Sequence, residues 1–87
     1  MRVPGERAGD PDYLDLWPSP AGDILNMSFR ATERARVTVV DGTGRQVYTG
    51  LHHGGTDLLP VAGLAPGIYT VVVSRDGRVT TGRFVKR

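Results

Sequence analysis

The residue types that most readily do chemistry are few and scattered in this sequence. His52-His53 with Asp57 close behind is the one grouping that suggests metal ligation. A metal site needs three or four convergent ligands. Adjacent residues on a strand point to opposite faces, and the chain has no cysteine to complete a set. Ser19, Ser28 and Ser74 stand in no nucleophile-elbow context. The acidic pair Asp12/Asp15 falls in or next to a tail, where nothing would shift a carboxyl pKa. Gly42-x-Gly44 lies in a hairpin turn and opens no helix, so it is not a phosphate loop. A β-sandwich of this size has little room for a pocket of the usual ~300 Å³ or more. The reading is a non-enzyme, with no catalytic residue, metal ligand or cofactor site assigned.

Size and composition set the next limits. The chain has 87 residues, 39% hydrophobic and 23% charged, which reads as one globular domain. A chain this short hides only about 60% of the surface its unfolded form exposes. A well-patterned core must therefore hold it together without disulfides. Twelve glycines and six prolines imply many turns and point to an all-β fold. The net charge of +2 is too small to argue for nucleic acid by itself. The last thirteen residues carry Arg75, Arg78, Arg83, Lys86 and Arg87 against Asp76 alone, which reads as solvated edge-strand charge. No apolar run reaches the roughly 18–20 residues of a membrane span. Met1 is followed by Arg2-Val3-Pro4-Gly5-Glu6, which is no secretory signal. Export of the domain would need a signal upstream on a longer parent protein.

The elements that position these residues read as strands. Residues 1–12 have no period and hold two prolines and two glycines, as a linker or tail does. The domain proper is residues 13–87. A first strand over 13–17 ends at Pro18 and Pro20. Strand 24–30 alternates, with Leu25, Met27 and Phe29 on one face. Strand 35–40 puts Val37 and Val39 inward. It forms a hairpin through Asp41-Gly42-Thr43-Gly44 with strand 45–51, where Val47 points in. Residues 51–55 read as a loop, and 56–61 as a weak strand that Pro60 confines to an edge. A single helical turn is conceivable only around 32–36. Strand 68–74 is the strongest, and Asp76-Gly77 turns it into the last strand, 79–86. Seven short strands, with turns roughly every 8–12 residues, are the pattern of an immunoglobulin-like antiparallel β-sandwich.

Leu64-x-Pro66-Gly67-x-Tyr69 resembles a tyrosine corner, in which the ring enters the core and the hydroxyl returns to a backbone group just upstream. Gly67 would let the chain turn there. On this reading Tyr69, Val71 and Val73 face inward and Phe84 joins them.

Taken in order, four blocks resemble the C-terminal sorting domains of cargo proteins of the type IX secretion system of Bacteroidetes. They are Trp17-Pro18-Ser19-Pro20-Ala21 with Asp23-Ile24-Leu25; Val37-x-Val39-x-Asp41-x-x-Gly44-x-x-Val47; Asp57-Leu58 through Leu64-Ala65-Pro66-Gly67-Ile68-Tyr69-x-Val71; and Gly82-x-Phe84-Val85-Lys86. Ser19 stands where the family usually has asparagine, and Trp17 where tyrosine is commonest. The resemblance covers about residues 13–87.

The resemblance implies a secreted or cell-surface fate, reached through the periplasm, for a cargo domain attached at the N-terminal side. It implies recognition by an outer-membrane translocon and its shuttle protein. It also implies removal by a sortase-like protease within residues 1–13, with surface attachment or release of the cargo. Lys86 and Arg87 are the candidates for direct recognition, although a terminus frays by default. Pro18 and Pro20 either join that recognition surface or only stop the first strand. Asp41, Gly44, Leu64, Gly67 and Tyr69 read as fold determinants. Two other functions compete. An extracellular interaction or carbohydrate-binding accessory module would need an aromatic platform from Trp17, Tyr13 and Tyr48. A nucleic-acid binder would use the arginines of the last hairpin, but the nearby aromatics Tyr69 and Phe84 are wanted for the core.

Overall fold

A computed structural model of the chain describes residues 13–31, 33–75 and 77–87. The 1–12 linker expectation lies outside the described residues, as do Thr32 and Asp76. Seven strands follow one another: β1 (Leu14–Trp17), β2 (Ile24–Phe29), β3 (Ala35–Val40), β4 (Gln46–His52), β5 (Gly55–Pro60), β6 (Gly67–Arg75) and β7 (Arg78–Lys86). They form two antiparallel sheets, one ordered β1-β2-β5 and the other β4-β3-β6-β7. This is the all-β sandwich expected from the alternation.

The alternation decides which side chains are buried. Leu25, Met27 and Phe29 on β2, Val37 and Val39 on β3, Tyr69, Val71 and Val73 on β6, and Phe84 on β7 are all buried. Leu59 and Val61 close the core from the β5 side. Burying each of the larger apolar side chains contributes about 1.5–3 kcal/mol. Tyr69 and Phe84 occupy paired positions of β6 and β7, and their rings stack at 5.4 Å. Val47 is half-buried against this cluster.

Several boundaries differ from the sequence reading. His52 belongs to β4 rather than to a loop, because it pairs with Ala35 across the ladder. β5 begins at Gly55 and pairs along its whole length with β2. Pro60 sits on it without penalty because β5 is an edge strand. No helix exists among the described residues, and Ala35 and Arg36 are already strand. Arg75 belongs to β6 and is buried, its guanidinium carbon 5.9 Å from the Phe29 ring centroid.

Gly82 lets the two sheets close on each other at one side. A Cβ there would lie 3.1 Å from Leu16 Cδ1 and 3.2 Å from Leu14 Cδ2, so β1 packs tightly over β7. That contact brings the segment after β1 to the end of the last strand.

Candidate functional site

The segment that leaves β1 crosses to the edge of β7 and joins it. The Trp17–Pro18 and Ser19–Pro20 peptides are both cis. Ser19 Oγ accepts the Val85 N–H at 3.1 Å. The Ala21 N–H donates to the Val85 carbonyl at 2.7 Å, and the Arg87 N–H donates to the Ala21 carbonyl at 3.0 Å. Ala21 is fully buried and forms a parallel bridge with Lys86. Asn26 holds the start of the segment by donating from Nδ2 to the Trp17 carbonyl at 3.1 Å. Two stretches 66 residues apart thus make one surface.

That surface has a defined composition. Pro18, Ser19, Pro20 and Arg87 are exposed, and Val85 is exposed beside Ile68, its cross-strand partner. Lys86 does not share this position. It follows Phe84 in the inward alternation of β7 and is buried, and its Nζ donates to the Arg87 carbonyl at 2.8 Å. The sequence pairs Lys86 and Arg87 as equal candidates. The structure separates them, because adjacent strand residues face opposite ways.

The five fold-motif positions gather at the same end of the sandwich. Gly67 is the Cα partner of Lys86. The Tyr69 hydroxyl donates to the Ala65 carbonyl at 2.5 Å, so the buried phenol keeps a partner. The bend falls on residues 64–66, and Gly67 opens β6. Leu64 is half-buried against the core. Asp41 organises the β3–β4 turn: its Oδ1 accepts the Thr43 N–H at 2.9 Å, the Thr43 hydroxyl at 2.6 Å and the Arg45 N–H at 3.0 Å. Its Oδ2 accepts from Arg45 Nε at 3.2 Å. The Thr43 hydroxyl bond, with smaller help from the backbone N–H bonds and the Arg45 charge, lowers the Asp41 pKa below 3.8 against the opposing effect of desolvation. Gly44 takes φ 88°, a left-handed value that glycine adopts without strain. Between this turn and residues 65–69 lies an open groove of about 400 Å³.

One cluster goes beyond the sequence reading, which grouped His52 with Asp57 but left Tyr48 out. The His52 Nδ1–H donates to Asp57 Oδ2 at 2.7 Å, and Tyr48 Oη lies 2.6 Å from His52 Nε2. In the neutral imidazole that carries its proton on Nδ1, Nε2 accepts the tyrosine hydroxyl. The His52 bond leads the causes that lower the Asp57 pKa below 3.8. This chain ties β4 at the edge of one sheet to β5 at the edge of the other. The signal lay in Tyr48-x-Gly50-x-His52, three positions on one strand face. A Cβ on Gly50 would fall 2.6 Å from Tyr48 Oη, so the glycine makes room for the ring. No group of three or more metal-ligating side chains exists among the described residues.

The competing functions find no shared surface. Tyr13 bonds Ser28 at 3.1 Å and Trp17 sits on β1, whereas Tyr48 bonds His52 at the opposite sheet edge. They form no common platform. Arg75 is buried, so the last hairpin is not a continuous basic stripe.

The family model described as the secretion system C-terminal sorting domain matches residues 15–87. The chain belongs to this family. It is a C-terminal sorting domain of the type IX secretion system. Among solved structures, the chain is similar to PorZ of Porphyromonas gingivalis, described as an essential bacterial surface component of that species' type IX secretion system. The TM-score is 0.75 at 21% identity, over 95% of this chain and 12% of PorZ. That likeness supports the sandwich fold of the sorting domain. No curated protein matches the chain.

Proposed function

We propose that the sorting domain is read at the surface shared by residues 18–21 and 85–87, and that this reading commits an attached cargo to outer-membrane export. The observation that carries this is the backbone joint between Ala21 and Val85–Arg87, which welds two family blocks into one exposed feature. Arg87 supplies the accessible charge, and Pro18 and Pro20 supply a rigid apolar ridge. Lys86 acts from inside by holding the Arg87 carbonyl.

The partners are the outer-membrane translocon, its shuttle protein and a sortase-like protease. The parent protein passes through the periplasm. The protease cuts within residues 1–13, almost all outside the described residues, and the cargo is attached to the surface or released.

A reporter carrying its own signal peptide and this domain tests the proposal in a host with the secretion system. Arg87→Glu and the pair Pro18→Ala/Pro20→Ala should each cut surface display at least tenfold while circular dichroism stays unchanged. Full display from both variants would refute the assigned surface. Periplasmic retention of the unmodified fusion in a transport-competent host would refute the export role itself.

A further inference from the structure

The four-stranded sheet ends on two unlike edges. Along β7 the outer side is taken by residues 19–21 at one end and overlain by Leu14 and Leu16 at Gly82. It also carries Arg78 and Arg83. The edge on β4 reads Gln46-Val47-Tyr48-Thr49-Gly50-Leu51-His52, with no Lys, Arg, Asp, Glu or Pro. Proteins usually blunt free edges with those residues. The other sheet follows the rule, since β5 carries Asp57 and Pro60.

The register fixes which backbone groups of β4 face outward. Val85 spends its N–H and carbonyl on residues 19–21, away from β6. Hydrogen-bonded pairs alternate with non-bonded ones along an antiparallel ladder. The β6–β7 bonds therefore fall on pairs such as Tyr69–Phe84, and the β3–β6 bonds on pairs such as Thr38–Val72. The β3–β4 bonds then fall on Ala35–His52, Val37–Gly50 and Val39–Tyr48. Thr49 and Leu51 are left with N–H and C=O turned out of the sheet. Both side chains are exposed, Leu51 by 50%.

We propose that two copies of this chain pair through β4, antiparallel about a two-fold axis at Gly50. In this register Thr49 faces Leu51 of the second copy, and Leu51 faces its Thr49. Each such pair exchanges two N–H···O bonds. The exposed Leu51 gains a cover, and β4 itself brings no charged residue to the seam. Arg36, the nearest charged residue on the same face, is rooted one strand back on β3, and its Nη1 donates to Thr49 Oγ1 at 3.4 Å. The two Arg36 backbones stand about 14 Å apart, three strand spacings, and the exposed guanidiniums flank the seam, where salt screens their repulsion and what is left of it weakens the dimer. The pairing is self-limiting. The register shift beside Val39/Val40 ends the regular edge on one side. On the other, Gly54 packs on the Ala31 backbone and carries the chain away. With β7 unlike β4, the assembly closes at two copies. Five residues a side bury far less than the roughly 800 Å² per partner of a standard interface. The dimer is correspondingly weak, with a dissociation constant on the order of 10⁻⁴ M.

Sedimentation equilibrium on the 87-residue chain, from about 10 μM to about 1 mM, tests this proposal across the expected range. The mass should climb from 9.4 kDa toward twice that. Hydrogen-exchange protection of the Thr49 and Leu51 amides should rise in step. Thr49→Lys should move the midpoint at least tenfold upward, and Val79→Lys, on the β7 edge, should not. A chain monomeric throughout overturns the proposal. So does a midpoint that Thr49→Lys leaves in place or that Val79→Lys shifts. Concentration-dependent protection elsewhere than at Thr49 and Leu51 overturns it in the unmodified chain, whatever the variants do. None of these readouts depends on export.

Discussion

At the residue scale, single polar groups carry defined tasks. The Tyr69 hydroxyl is bonded inside a buried corner, so Tyr69→Phe leaves the Ala65 carbonyl without its donor. Ala65 is exposed and water can reach its carbonyl, so the expected cost is about 0.5–1.5 kcal/mol, read from the urea midpoint. Asp41 and Asp57 both have lowered pKa values in the folded chain, chiefly through the Thr43 hydroxyl and His52 respectively. The unfolded chain therefore takes up protons first as the pH falls. Stability from these two groups is full well above 3.8 and is lost as pH drops below that value through the folded pKa values. The urea midpoint should fall on acidification from about pH 5 to about pH 2.5, and fall less in the Asp41→Asn/Asp57→Asn double variant.

At the element scale, the close approaches between segments are the vulnerable points. A Cβ on Gly54 would meet the Ala31 backbone nitrogen at 2.6 Å and its oxygen at 2.9 Å. Neither atom can rotate away, so Gly54→Ala must displace the β4–β5 corner. It should cost about 1–3 kcal/mol in chemical denaturation. Phe29, fully buried at the end of β2 and beneath Arg75, is the largest core side chain of its sheet. Phe29→Ala should cost about 3–5 kcal/mol, a large share of what so small a domain has to lose.

At the scale of the whole molecule, the sandwich brings the first and last parts of the domain to one end. Ser19 caps the Val85 N–H from across the chain. Ser19→Ala should therefore loosen the joint between residues 18–21 and β7. Faster hydrogen exchange at the Val85 amide, with little change in the global denaturation midpoint, is the expected result. Lys86 is a different case. Its buried stem means that Lys86→Glu should lower the melting temperature, whereas Arg87→Glu should leave it unchanged. Export defects in the two variants would then have separate origins, and thermal melts of the purified domains distinguish them.

Much of the fold was legible in the chain. Leu25-x-Met27-x-Phe29, Val37-x-Val39 and Tyr69-x-Val71-x-Val73 have a period of two, and a half-buried strand admits only that period. The turn chemistry of Asp41–Gly44 marked one hairpin, and its carboxylate bonds reach only two and four residues along. Local patterns determine local geometry because their partners are covalent neighbours. What the sequence left open were contacts between strands of the two different sheets. The link from His52 to Asp57 and the joint of Ala21 to Val85, which forms where β1 packs over Gly82 of β7, depend on how the sheets stack. Stacking is set by the whole core at once, and no stretch of residues encodes it alone.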